Sequence, residues 1–258
     1  LDVDSTALGF SGGFPGDFIA QTLEDSNIQS DFVQVDEDTR INVKLKSGQE
    51  TEINAPGPKV THAQFEQLLS QIRRTTNDDI VIVAGSVPNS IPSDAYAQIA
   101  QITEKTGAQL VVDAEKDLVE TVLPYRPLFI KPNKDELEVM FNTTVKSDED
   151  VIKYGKEILK KGAQSVIISL GGDGAIYVDQ HQSIKAVNPQ GHVVNTVGSG
   201  DSTVAGMVAG LSMGLNIDEA FQQAVASGTA TAFSEDLATR DAIENIKSQV
   251  TISVLDGE

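Results

Sequence analysis

The 258 residues predict an α/β fold with a mostly parallel central sheet flanked by helices and a small β-sheet lid. Three observations carry this expectation. The runs "DIVIVAG" (79–85), "QLVVDA" (109–114), "LFIKPN" (128–133) and "QSVIISLGG" (164–172) are short, β-branched and nearly continuous in apolar residues, as strands covered on both faces are. Between such runs lie helical stripes: Phe65, Leu68, Leu69 and Ile72 keep the i, i+3, i+4, i+7 spacing, and Val151, Ile152, Ile158 and Leu159 repeat it approximately. That alternation belongs to a parallel sheet wrapped by helices. The third observation is a break in the rhythm. Residues 31–58, "DFVQVDEDTRINVKLKSGQETEINAPGP", have no helical period and alternate polar with apolar residues around "DEDT" and "KSGQ" turns. They predict an antiparallel excursion, a flap or lid. No internal repeat or low-complexity linker divides the chain, and its length suits a single domain over 1–258 with 31–58 as the lid.

Composition narrows the function classes. There is no cysteine and no tryptophan, and no apolar stretch approaches the roughly 20 residues that cross a bilayer. The opening "LDVDSTALGF" lacks the basic region and long apolar run of a secretory signal, so the cytoplasm is the default compartment. A formal net charge of −19 opposes any surface built to neutralise nucleic-acid phosphates or anionic lipid, and neither is an expected partner. Anionic small substrates would need a local exception, lined by cations or backbone amides.

The chain has no Gly-x-x-x-x-Gly-Lys-[Ser/Thr] loop and no Gly-x-Gly-x-x-Gly after a strand, so any nucleotide must be held by other means. One stretch offers such means. In "NTVGSGDSTVAGMVAG" (195–210) Val204, Val208 and Leu211 share a helix face, while Gly206, Ala209 and Gly210 permit close packing. Gly198, Ser199 and Gly200 then fall at the helix N-terminus, where free amides and the positive end of the dipole attract anions. Asp201 sits at the rim of that cradle. It is placed to accept a hydroxyl proton and aim the oxygen at a phosphoryl group. An acid that merely complements the first turn is the plain alternative, although glycines on both sides exceed what a cap requires.

Other motifs have structural readings of their own. Asn133 and Glu136 in "KPNKDE" (131–136) form a capping box ahead of a helix containing Leu137 and Met140. Lys131 at a strand end is ordinarily exposed. The segment "SLGGDGAIYV" (169–178) suits a hairpin, and "AVASGTATA" (224–232) suits helix packing. Ser86 follows a strand, at the end where open α/β sheets bind ligands, though a turn serine is as plain a reading. Arg40 lies in the flap; a surface arginine is usually just solvated, yet its guanidinium can bind phosphate bidentately. His62, His181 and His192 are too scattered for a zinc site.

The stretch "NTVGSGDSTVAG" resembles the C-terminal signature of the PfkB group of ribokinase-like carbohydrate kinases, and "TRINVKLKSGQETEINAPGP" and "AGSVPNSIP" resemble its sugar-phosphate branch. The resemblance implies a ribokinase-like fold that uses ATP with Mg2+ to phosphorylate a ketohexose phosphate. Fructose 1-phosphate at its 6-hydroxyl, giving fructose 1,6-bisphosphate, is the expected acceptor, with tagatose 6-phosphate as the alternative. A catalytically silent sugar-phosphate sensor is a reading from another class, opposed by the retained Asp201 and its glycines. Under the resemblance Asp201 is the base, and Gly198, Ser199 and Gly200 form the anion hole. Lys131 lies near the nucleotide phosphates, while Asn133 and Glu136 order the waters of Mg2+. Ser169, Gly171, Gly172 and Gly174 approach ATP, with Gly228 near adenine. Arg40 grips the sugar phosphate, Ser86 lies beside the substrate, and lids pair into a homodimer. The resemblance further implies that Leu1 lies inside a helix, downstream of sugar-binding Asn-Pro-x-x-Asp and Gly-Gly-Lys-Gly motifs that these residues lack.

Overall fold

The structure, a computed structural model, describes residues 1, 3–47 and 49–257, with the side chains of 44–52 outside the description. In chain order it forms β1 (Thr6–Ser11), α1 (Gly13–Asp25), β2 (Gln29–Gln34), β3 (Val43–Ser47), β4 (Gln49–Ile53), α2 (His62–Ile72) and β5 (Ile80–Ala84). Next come α3 (Ala95–Thr106), β6 (Gln109–Asp113), α4 (Lys116–Val122), β7 (Phe129–Ile130), α5 (Lys134–Phe141), α6 (Asp148–Lys161) and β8 (Ser165–Ser169). The chain ends with β9 (Ala175–Val178), β10 (Gln182–Val187), α7 (Ser199–Ser212), α8 (Ile217–Ala232), α9 (Arg240–Lys247) and β11 (Thr251–Gly257). Two compact units result, one of Leu1–Val3, Asn77–Gly85 and Ala108–Glu258, the other of Asp4–Thr76 and Ser86–Gly107.

The larger unit is an α/β layer structure built on one sheet in the order β11-β10-β9-β8-β7-β6-β5. The four apolar runs singled out in the sequence become β5 to β8 and pair in parallel. Beyond β8 the sheet turns antiparallel through β9, β10 and β11. The reason is local: β8 and β9 are joined by the short turn 170–174, which can only reverse the chain, whereas parallel neighbours need a crossover. Burial follows the pattern of a covered sheet, with Val166, Ile167 and Ile168 all at 0% exposure along β8. On one face Val111, Phe129, Ile167 and Ile184 pack with Met207 of α7 and Phe221 of α8.

Helix boundaries have chemical causes. Ser147 caps α6 by accepting from Asp150 N, acids fill its first turn, Lys160 and Lys161 fill its last, and both ends complement the dipole. Of its predicted stripe, Val151 and Ile158 are buried. Helix α7 carries almost no charge and packs tightly on α8. A Cβ on Gly206 would lie 2.8 Å from Ala224 Cα, and one on Gly210 would lie 2.8 Å from Ala220 Cα, so larger residues at either position would drive the helices apart.

The first part of the chain corrects two expectations. Residues 31–58 do not form one antiparallel excursion. Residues 31–34 lie in β2, which pairs in parallel with β1, Thr6 opposite Gln29 through Ser11 opposite Gln34. The antiparallel part is the hairpin β3–β4, with Val43 opposite Ile53 and Ser47 opposite Gln49. The turn at "KSGQ" includes Gly48, which is outside the described residues. The start of the chain is not helical either: Leu1 and Val3–Ser5 carry no helix and lead into β1. The helix comes after β1, where Gly12 and Gly13 open α1. In the smaller unit the predicted stripe Phe65, Leu68, Leu69 and Ile72 is buried on α2, whose N-terminus is a Thr61–Gln64 capping box.

Candidate active site

The start of α7 is the centre of the candidate site. Gly198 is its N-cap, in the left-handed region at φ 79°, a conformation that side chains other than glycine adopt at a cost. The approach to it is anchored to the far end of α8: Val194 N and Asn195 N both donate to Ala232 O, at 2.8 and 3.1 Å. Asn195 Nδ2 donates to Glu235 O at 3.0 Å, and Val197 N donates back to Asn195 Oδ1 at 3.2 Å. Ser202 N then closes the first turn on Gly198 O at 2.8 Å.

That turn refines which groups face a ligand. Ser199 N donates to Thr196 O at 3.2 Å and Ser199 Oγ donates to the same oxygen at 2.8 Å, so Ser199 shapes the turn and its own amide is engaged. Among the described residues, the N–H groups of Gly198, Gly200 and Asp201 make no hydrogen bond. Asp201 therefore brings an open amide as well as its exposed carboxylate.

Lys131 sits at the same place. It follows β7 and is 7% exposed, contrary to the usual fate of a lysine at a strand end. Its Nζ lies 3.2 Å from Asp113 Oδ2 at the end of β6, and a Cβ on Gly200 would come 3.2 Å from Nζ. A glycine at 200 thus leaves room for the ammonium against the helix start. Burial pushes the Asp113 carboxyl above its ordinary value; the Lys131 ammonium opposes that shift and the Asp201 charge adds to it. The arrangement is a buried ammonium and two carboxylates around open amides, a cation-reinforced version of the helix-terminus anion site. Asp113 went unnoticed in the sequence.

The glycine turn stands beside the capping box. Ser169 N donates to Pro132 O at 3.1 Å, and a parallel bridge joins Asn133 to Ser169. Gly171 and Gly172 open onto free space, since a Cβ on either would meet nothing within 4 Å. Gly174 serves the turn instead: at φ 95° its Cβ would strike Ala186 O of β10. Asn133 caps α5, accepting from Glu136 N at 2.8 Å, and Glu136 Oε2 accepts from Asn133 N at 2.8 Å. Both the capping box and the hairpin therefore form as their local reading required. Among the described residues, Glu136 Oε1 makes no hydrogen bond, and no group of three His, Asp or Glu side chains gathers as a metal cage. A single carboxylate with one open oxygen fits Mg2+ that retains its waters.

Gly228 occupies a different position from an open ligand contact. It is buried in α8, where a Cβ would strike Thr203 Oγ1 and lie 2.9 Å from Ser199 O, so its smallness brings α8 against the first turn of α7. In the smaller unit, Arg40 Nη2 donates to Ser86 Oγ at 2.9 Å, which unites the two expected substrate contacts. Arg40 is aimed by its neighbour: Thr39 N donates to Gly12 O at 2.8 Å and Thr39 Oγ1 accepts from Gly12 N at 3.1 Å.

Comparison with known proteins identifies the family. The 1-phosphofructokinase of Bacillus subtilis is 42% identical over 253 residues, which are 98% of this chain and 84% of that protein. The D-tagatose-1-phosphate kinase of Bacillus licheniformis is 37% identical over 256 residues, 99% of this chain and 84% of that protein. A crystal structure from Staphylococcus aureus, 80% identical, superposes with a TM-score of 0.92 over 100% of this chain and 84% of its own. The description "pfkB family carbohydrate kinase" matches residues 1–242, a span that contains Asp201 and everything assembled around it. The chain belongs to the pfkB family of carbohydrate kinases, with the ribokinase-like α/β fold.

Proposed function

We propose that this chain is an ATP-dependent 1-phosphofructokinase, transferring the γ-phosphoryl group to the 6-hydroxyl of fructose 1-phosphate. The observation that carries the reading is Asp201 at the rim of an open-amide helix start that also holds the Lys131 ammonium. The Asp201 carboxylate accepts the hydroxyl proton as the oxygen forms its bond to phosphorus and the bond to the β–γ bridging oxygen breaks, releasing ADP. The amides of Gly198, Gly200 and Asp201, with Lys131, face the charge on the transferring group. Mg2+ would be held at the start of α5 by Asn133 and Glu136 through water, and it neutralises phosphate charge. Gly171 and Gly172 let the nucleotide approach the backbone, and Ser169 borders it. Gly174 and Gly228 shape that surface from behind. Arg40 binds the sugar phosphate, with Ser86 beside it.

The lid completes the proposal. Val43 and Ile53 face each other across β3 and β4, and both are exposed, at 42% and 57%. An apolar pair displayed on a hairpin is covered most simply by a second copy of the same hairpin, so the protein is proposed to act as a homodimer. Among the described residues no helix is long and apolar enough to cross a membrane, and the proposed site of action is the cytoplasm.

Fructose and tagatose differ only at C4, so their 1-phosphates are epimers, and the similarity to a D-tagatose-1-phosphate kinase makes the acceptor the point to test. ADP release is measured with fructose 1-phosphate, tagatose 1-phosphate and tagatose 6-phosphate in turn. The highest kcat/KM with fructose 1-phosphate supports the proposal, and a higher value with either tagatose ester overturns the substrate assignment. No turnover with any of them, but a sugar-dependent rise in melting temperature, would make the protein a sensor.

A further inference from the structure

The loop 188–197 between β10 and α7 contains a side chain that no local pattern explains. Asn188 Nδ2 donates to Gly171 O at 3.1 Å and to Gly172 O at 3.4 Å. On its other side Asn188 Oδ1 lies 2.9 Å from Thr229 Oγ1 of α8. The Thr229 hydroxyl is also 2.8 Å from Val225 O, so its one proton is shared between two acceptors. A carboxamide is the side chain that can do both jobs, giving two N–H bonds to one segment while accepting from another.

The partners connect the two halves of the phosphate apparatus. Gly171 and Gly172 are the open positions of the glycine turn. Thr229 is adjacent to Gly228, whose Cα lies against Ser199 and Thr203 in the first turn of α7. Two residues farther along α8, Thr231 Oγ1 donates to Ser202 Oγ at 2.9 Å, and Ala232 O receives the two amides of the loop that leads into the cradle. Helix α8 therefore backs the start of α7 at several points, and Asn188 fastens the glycine turn to that same helix.

We propose that Asn188 is a positioning residue for nucleotide binding: by tying the Gly171 and Gly172 carbonyls to Thr229 it fixes the spacing between the glycine turn and the α7 cradle. The turn has few other restraints. Its internal bonds are Leu170 N to Gly174 O, Asp173 N to Leu170 O and Gly174 N to Gly171 O, and its two open glycines have no side chains to pack. Without Asn188 the amides of Gly171 and Gly172 lose their fixed direction, while the cradle keeps its own bonds to α8. The effect falls on ATP and on the alignment of its terminal phosphate, and leaves the sugar phosphate alone.

This inference rests on the proposed ATP-dependent reaction, and its test separates the two. Steady-state kinetics are measured with ATP and fructose 1-phosphate varied independently, and melting temperature is recorded for each variant. Asn188→Ala is expected to raise the KM for ATP about tenfold, the size expected from losing a small hydrogen-bond cluster, with an unchanged KM for fructose 1-phosphate. Asn188→Asp keeps the shape but sets a carboxylate against two carbonyls, and is expected to be at least as impaired. Thr229→Val is expected to raise the ATP KM in the same sense, Thr229→Ser to restore it, and the Asn188→Ala/Thr229→Val double variant to be no worse than Asn188→Ala. Equal rises in both KM values, or a normal ATP KM in Asn188→Ala, overturn the positioning role. Gly172→Val is the control for the underlying reading, since Gly172 is open and not in the left-handed region: if it raises the ATP KM while Asn188→Ala does not, the clamp fails and nucleotide binding at the turn stands. If neither changes the ATP KM, binding at the turn has failed and the clamp fails with it.

Discussion

Lys131 and Arg40 are both cations assigned to phosphates, and the protein holds them in opposite ways. Lys131 is 7% exposed, paired with Asp113 and set against Gly200. Arg40 is exposed and bonded to a neutral hydroxyl, that of Ser86. A buried ammonium is desolvated before any substrate arrives, and its direction is fixed by a carboxylate on the neighbouring strand, so its charge acts at full strength on whatever enters the cradle. An exposed guanidinium remains hydrated and screened until a phosphate displaces its water, so its contribution appears on binding. The first design suits a group whose charge changes during reaction. The second suits a handle that is carried unchanged from substrate to product.

The largest expected effect lies outside the pair and sets its scale. Asp201→Asn removes the proton acceptor and leaves every amide in place. Its kcat should fall by roughly 10²–10⁴-fold with ATP affinity, measured by equilibrium titration, little altered. A kcat near that of the parent would remove Asp201 as the base. Next in size is Lys131→Met, which keeps the bulk of the stem and deletes the charge. Its kcat should fall about 10²-fold, in the range for loss of one donor aimed at developing charge. The same variant has a second readout. The ammonium is what holds the Asp113 carboxyl down against burial, so its loss moves the Asp113 titration farther up, as carboxyl NMR across a pH series can follow. A downward move would mean that Lys131 does not govern that group.

Arg40→Ala tests the other half of the contrast. The KM for fructose 1-phosphate should rise about tenfold or more, from loss of a charge-assisted contact, with kcat and the KM for ATP close to those of the parent. If kcat fell as far as in Lys131→Met, the distinction between a preset and a recruited cation would not hold. The smallest effect is expected from Glu136→Gln. The amide keeps an oxygen for the capping bond to Asn133 N, so the melting temperature should stay within a few degrees, while the magnesium concentration for half-maximal rate rises several-fold. An unchanged magnesium titration would leave Glu136 as a cap alone.

What the sequence revealed depended on how local the cause was. The α7 start was legible because its causes lie within a few residues: a glycine that must turn left-handed, an acid next to it, and a stripe of small residues behind. The capping box at Asn133 and Glu136 and the reversal after Ser169 were legible for the same reason. Asp113 was not, because nothing in "QLVVDA" distinguishes a carboxylate that will meet a lysine of the next strand from one that will end in water. Asn188 was hidden similarly, since its partners are Gly171, Gly172 and Thr229 and pairing across the fold leaves no periodic trace. The strands β1 and β2 were missed on different grounds. "TALGFS" carries alanine and glycine, both poor strand formers, and "QSDFVQ" shows its single fully buried position, Val33, only once β1 lies beside it. Alternation over 31–58 was a true signal of extended chain, yet it cannot tell a strand that runs parallel to β1 from one that folds back on itself.

The contact between α7 and α8 has a consequence in time. The two helices follow one another with only 213–216 between them, and Gly206 and Gly210 let them close on Ala224 and Ala220. Joining neighbours in sequence costs little loop-closure entropy, whereas the β5–β8 ladder must recruit strands separated by whole helices. The helix pair can therefore assemble early, and once assembled it is restrained where the end of α8 meets the start of α7, by the bonds at Ala232 and Thr231 and the close packing at Gly228. Its amides belong among the slowest to exchange with solvent, and the phosphate cradle inherits that persistence. The proposed site of phosphoryl transfer would then be among the last parts of its unit to open.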